Sequence, residues 1–144
     1  MGIKLRTDWK LEQGSVLIDH KAKILLVGSC FSEHISHRLR LSGFNVLDNP
    51  HGIVFQPEAI ERCLTECIEE RFYEEKDLVW NGQVWASLNH HGRFNNENSD
   101  TVLESINTSI RKAKLFIKEA SHLVLTLGTA WTCLLYTSPS PRDA

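Results

Sequence analysis

Residues 22–48 constrain the fold more than any other stretch. The run AKILLVG (22–28) is apolar throughout and closed by glycine, the pattern of a strand buried on both faces of a parallel sheet. Directly behind it Phe31, Ile35 and Leu39 recur every four residues among His34, Arg38 and Arg40, which predicts a helix over Cys30–Ser42. Gly43 stands where a helix-ending glycine belongs, and Phe44-Asn45-Val46-Leu47 reads as a second strand. Strand, tight turn, helix and strand within 26 residues form a βαβ start, so an open α/β sheet is expected.

The rest of the chain extends that frame. Asn49-Pro50-His51-Gly52 has the chemistry of a loop. Pro57 sits where proline opens a helix, with Glu58 near the positive end of its dipole, and Ile60, Cys63, Leu64, Cys67 and Ile68 share one face. Leu78-Val79-Trp80, Asn81-Gly82 and Gln83-Val84-Trp85 read as a β-hairpin inserted on the α/β frame, with Asn-Gly suited to a two-residue type I′ turn. Val102, Ile106, Ile110, Ala113 and Ile117 stripe a long helix over Ser99–Ala120. His122–Leu127 reads as a third buried strand, closed by Gly128.

Composition narrows the function classes. With 144 residues, 24% charged and a net charge of −2, the chain is one ordinary soluble domain or part of one, with no electrostatic footprint for nucleic acid. No apolar run approaches the roughly 20 residues that span a bilayer, and MGIKLRTDWKLEQG lacks the apolar core of a secretory leader. Four cysteines with no CxxC spacing suit reduced thiols and a cytoplasmic location. Neither GxGxxG nor GxxxxGK[ST] occurs, and no cofactor is expected.

The tail CLLYTSPSPRDA (133–144) differs in character, carrying two of the four prolines and no helix or strand period. It is similar to the conceptual translation of a transposase-type sequencing adapter. Residues 1–132 are therefore expected to be the N-terminal part of a longer domain, and 133–144 to pack against nothing.

The chemistry-bearing segment is Gly28-Ser29-Cys30-Phe31-Ser32-Glu33. A glycine turn between strand and helix places the next side chains at the C-terminal edge of the sheet, where α/β proteins bind ligands. Free amides at the helix start favour a thiolate or an oxyanion there. The plainer alternative is a serine cap beside a buried cysteine. Cys30, His34 and His37 share a helix face, yet no fourth ligand is evident and no metal site is expected. Cys63 and Cys67 read as core thiols. His90-His91-Gly92-Arg93-Phe94 reads as a polar loop anchored by Phe94, or as the wall of a pocket for an anionic group; His51 is a weaker candidate.

The segment GSCFSEHI, followed in order by NPHGI, a Trp-containing hairpin, HHGRF and LGTAW, resembles the GSCFA family. That family looks like a branch of the SGNH (GDSL) hydrolases. The resemblance implies a partial three-layer α/β/α, flavodoxin-like domain and an acyl-ester hydrolase or acyltransferase. Its substrate would be small and acylated, possibly carbohydrate-linked, with neither nucleic acid nor membrane as partner. Carried over by position, the nucleophile falls on Cys30, with Ser29 as an alternative hydroxyl. Gly52 and Gly128 fall on oxyanion-hole blocks, and His91 and His51 line the substrate. The block at Gly128-Thr129-Ala130 lacks the superfamily's asparagine, which leaves a non-catalytic binding or scaffold domain as the competing reading. The general base would lie beyond residue 132.

Overall fold

The computed structural model describes Gly14 and residues 17–128. Its centre is β1 (Lys23–Gly28), whose Ile24, Leu25, Leu26 and Val27 are all buried. Burial on both faces requires cover on both, and removing each such side chain from water contributes about 1.5–3 kcal/mol. β1 pairs in parallel with β2 (Asn45–Asp48) on one side and β5 (His122–Thr126) on the other, giving the order β2-β1-β5. In register, Leu25 lies between Leu47 and Leu123, and Gly28 faces Thr126.

Parallel strands need crossovers. The first is α1 (Cys30–Leu41), which brings Ile35 and Leu39 onto Ala22, Ile24 and Leu26. Asp48 at the end of β2 accepts Ser36 Oγ at 2.8 Å and pairs with Arg40, tying helix to strand. The second crossover carries α2 (Pro57–Glu69) and α3 (Ser99–Ile117). These cover the opposite face, with Ile60, Cys63, Cys67 and Ala113 on Leu25 and Val27. Three layers, α/β/α, result. α3 begins on an Asn98 cap that accepts the Thr101 amide at 3.1 Å, and buries Val102, Ile106, Ile110 and Ala113 as the stripe predicts.

Between α2 and α3 lies the inserted hairpin, β3 (Val79–Trp80) with β4 (Trp85–Ala86). Its connection is not the two-residue turn expected from Asn-Gly. Trp80 pairs with Trp85, so four residues make the loop, and Asn81 Oδ1 accepts the amides of Gln83 and Val84. Gly82 has φ +97°, whereas Asn81 stays at negative φ and a type I′ turn needs both positive. The side-chain acceptor holds Asn81 out of the left-handed region. A second core of Tyr73, Leu78, Phe94, Val102, Ile106 and Ile110 seats the hairpin region on α3.

Two further details differ from the sequence expectation. β2 begins and ends one residue later than predicted. β5 is only half covered: Leu123 and Leu125 point to the α2–α3 side yet remain 52% and 44% exposed, because those helices reach over β1 and stop short of β5. The expected adapter tail and Thr129-Ala130 lie outside the described residues.

Candidate functional site

β1 runs out at Gly28, and the next residues open α1 at the C-terminal end of the central strand. Gly28 has φ +149°, and a Cβ there would sit 2.3 Å from both the carbonyl oxygen and Oγ1 of Thr126. Only glycine lets β5 approach this closely. The Gly28 amide donates to Asn49 Oδ1 at 2.8 Å, which fastens the start of the NPHG loop to the end of β1.

Ser29 is the N-cap of α1, its Oγ accepting the Phe31 amide at 3.3 Å. The same hydroxyl meets Thr126 Oγ1 at 3.1 Å, and Thr126 Oγ1 also accepts the Ser29 amide at 2.9 Å and meets Ser32 Oγ at 2.7 Å. Ser29 and the buried Ser32 are thus engaged in structure. Cys30 follows as the first helical residue and is exposed with a free thiol. Its amide, like every amide in the first turn of a helix, has no intrahelical acceptor. His34 and His37 are exposed further along α1.

Gly52 is buried with φ +82°, and a Cβ there would fall 2.3 Å from His91 Cβ. The Gly52 turn and the HHGRF loop are therefore packed backbone to side chain, and the His91 amide donates to the His51 carbonyl at 2.8 Å. The Gly52 amide itself donates to the Asn49 carbonyl at 2.8 Å. His91 is exposed; its Nδ1 accepts the Arg93 amide at 3.2 Å, which in the neutral ring assigns the proton to Nε2.

Arg93 joins the two halves. Its guanidinium donates to Glu33 Oε1 at 2.9 Å and to the Asn49 carbonyl at 2.6 Å. Glu33 and Cys30 are one turn apart on α1 and share a side of it. The structure thus ties Gly28, Gly52 and the His91 loop to one hub of Asn49 and Arg93, and reaches α1 at Glu33, one turn beyond Cys30. Beside this hub a cleft of about 410 Å³ is lined by residues that include Val54, Phe55, Arg62, His90 and His91; Cys30 is not in its wall. Gly128, just past β5, is separate from the hub. Its amide donates to the Phe55 carbonyl at 2.8 Å, and Phe55 packs where its Cβ would be.

The sequence profile of the GSCFA family matches residues 23–138, a span that contains every group described above. The chain belongs to the GSCFA family. Neither curated proteins nor solved structures offer a match.

His51 of this GSCFA chain does not face the exposed hub. It is 1% exposed, stacked on His90 with ring centroids 4.1 Å apart, and its Nε2 stands 3.6 Å from Glu66 Oε2. Glu66, also buried, accepts Arg71 Nη1 and the Tyr73 hydroxyl, each at 2.8 Å. Burial, then the charge of Glu66 as acceptor, holds the Tyr73 phenol protonated well beyond its ordinary range, while the Asn89 amide on its oxygen pulls the other way. His90 is held neutral chiefly by burial, with the His51 ring and the Arg71 guanidinium beside it working in the same direction.

Cys63 and Cys67 are fully buried, as core thiols should be. They also lie against each other and against His51: the Cys67 thiol donating toward Cys63 favours the Cys63 thiolate against the cost of burial, and Cys67 is held protonated in turn. Asn49 and Thr126 were not singled out by sequence reasoning, because each holds backbone atoms of a segment far away in the chain; Arg93, read there as part of a loop able to meet an anionic group, has Glu33 and the Asn49 carbonyl as its partners. The pairing of Glu66 with Tyr73 and Arg71 carried only one signal, a carboxylate on the apolar face of α2.

Proposed function

We propose that this GSCFA protein hydrolyses or transfers the acyl group of a small ester, with Cys30 as the nucleophile on a domain similar to the SGNH hydrolases. The observation that supports this is the exposed Cys30 thiol on the first turn of α1, at the C-terminal end of the central parallel strand. Ligands bind at that edge in α/β sheets. The positive end of the α1 dipole lies beside Cys30 and favours the oxyanion that its attack creates. Ser29, the other candidate, has its hydroxyl engaged by Phe31 and Thr126.

In the reaction the Cys30 thiolate adds to the ester carbonyl carbon, forming a C–S bond as the ester C–O bond breaks. The alkoxide leaves and takes a proton from water. A water molecule, or an acceptor alcohol in the transfer case, then adds to the thioester and the C–S bond breaks, restoring the thiol. His91, exposed and protonated on Nε2, serves as a donor to a carbonyl or sugar hydroxyl oxygen. A substrate that is acylated and carbohydrate-linked suits such a polar rim.

One observation favours a non-catalytic binding domain instead. The Gly52 amide is committed to Asn49, which removes it from the oxyanion hole in this arrangement. Alkylation at neutral pH, mapped by peptide, separates the two readings. The enzyme reading expects Cys30 to react at least roughly tenfold faster than an unstructured cysteine. It also expects Cys30→Ala to abolish turnover of an activated ester such as p-nitrophenyl acetate. A Cys30 of ordinary reactivity with no turnover would leave the binding domain, and an unchanged turnover in Cys30→Ala would refute Cys30 as the nucleophile.

A further inference from the structure

Under the NPHG loop, the side chains of His51, Cys63 and Cys67 converge from two elements. Cys63 and Cys67 are one turn apart on α2, the i, i+4 spacing by which a helix presents two ligands on one face. His51 is delivered by the loop, and one ligand atom from each residue lies within 4.8 Å of the other two. All three residues are at most 1% exposed. His51 Nε2 is buried and has no hydrogen-bond partner among the described residues. An orphaned buried donor or acceptor costs about 1–3 kcal/mol, so the arrangement calls for a ligand.

We propose that His51, Cys63 and Cys67 form a buried site for a soft divalent cation of the zinc class, pinning the NPHG loop to α2. Two sulfurs and one imidazole nitrogen suit zinc and are poor ligands for calcium or magnesium, which take oxygen. Charge supports the same conclusion. Two thiolates, a neutral imidazole and a dication sum to zero, which is what a site walled by Leu25, Val27 and Ile60 can hold. Bond lengths of about 2.3 Å to sulfur and 2.0–2.1 Å to nitrogen place tetrahedral ligand atoms roughly 3.5–3.8 Å apart. The three atoms need to close by about 1 Å, within reach of side-chain rotation. Glu66, with Oε2 3.6 Å from His51 Nε2, stands where it can complete the coordination. Arg71 balances its charge.

The test is metal loading of the whole chain followed by desalting and elemental analysis, with the Co²⁺ spectrum as an independent readout. The wild type should retain about one zinc per chain, and Cys30→Ser should retain it equally. Cys63→Ala/Cys67→Ala should lose it. Co²⁺ should give the intense visible bands of a tetrahedral site and a thiolate charge-transfer band. Zinc should also protect Cys63 and Cys67, but not Cys30, from alkylation under mild denaturant. If the double variant does not fold, the cobalt spectrum and the protection pattern of the wild type decide. Pale octahedral cobalt, or alkylation of Cys63 and Cys67 indifferent to zinc, would overturn the proposal. So would zinc retained by a folded double variant. Because Cys30 lies outside this cluster, loss of metal binding and loss of esterase activity are separable results.

Discussion

Gly28→Ala is expected to destabilise the fold far more than an ordinary glycine substitution, for reasons that can be worked from the β1–β5 contact. The new Cβ would lie 2.3 Å from Thr126 O and from Thr126 Oγ1. The side-chain oxygen can rotate away, but the carbonyl belongs to β5 and cannot. Restoring an ordinary contact of about 3.3 Å or more requires the strand ends to part by roughly 1 Å. That separation weakens the bonds from the Ser29 amide to Thr126 O, at 3.3 Å, and to Thr126 Oγ1, at 2.9 Å. At about 1 kcal/mol each, these add to a backbone penalty of about 1–3 kcal/mol for holding φ +149° without glycine. The sum is about 3–5 kcal/mol. Gly82→Ala is the matched control, since φ there is +97° but nothing lies within 4 Å of the added methyl. It should cost only the backbone part. Urea unfolding followed by circular dichroism on both variants gives the difference directly. If Gly28→Ala loses no more stability than Gly82→Ala, the close approach of β5 to the β1–α1 turn is wrong.

Two further outcomes follow from the buried and bridging groups. Folded His90 stays neutral, holding its proton only far below the free value near 6.5, so between those limits the unfolded chain binds a proton that the folded chain refuses. Stability therefore falls as pH drops below about 6.5, by up to about 1.4 kcal/mol per pH unit from this residue alone. His90→Phe, which preserves the ring stack, should flatten the pH 7 to pH 5 stability slope; an unchanged slope would refute the assignment. Arg93→Met removes the ion pair with Glu33 and leaves the Asn49 carbonyl without its donor. A loss of about 1–2 kcal/mol is expected in thermal melts, and a variant as stable as wild type would show that the Arg93 contacts contribute nothing to stability.

The three-layer frame was legible because it rests on periodicity: AKILLVG and the Val102-to-Ala113 stripe report their own burial, whereas in α1 Ile35 and Leu39 are half-buried, Phe31 is exposed, and the small Ser32 and Ser36 are the buried residues. The helix start that carries Cys30 was legible for the same reason, being a junction between two periodic segments. The hub was not, since Arg93 reaches Glu33 across 60 residues and Asn49 across 44, and no local pattern encodes such a pairing. The cluster of His51, Cys63 and Cys67 was hidden differently. Two thiols on an apolar helix face look like core, and they are core. Only the fold reveals that a histidine from a loop 12 residues upstream is buried against them. The hairpin loop length was misjudged because Asn81 has a side chain able to replace a turn with a capped one.

Arg93 closes a circuit. From the Gly28 amide the connection runs through the Asn49 side chain to its carbonyl, then through Arg93 to Glu33, and back along five residues of chain to Gly28. Cys30 sits on that last arc. The helix turn that carries the thiol is thus tied at both ends from outside its own helix, in part by the loop that bears Arg93. An occupant of the neighbouring cleft that presses on His90 and His91 bears on the loop that Arg93 ties to this arc, so occupancy of the cleft should be felt as altered reactivity of Cys30.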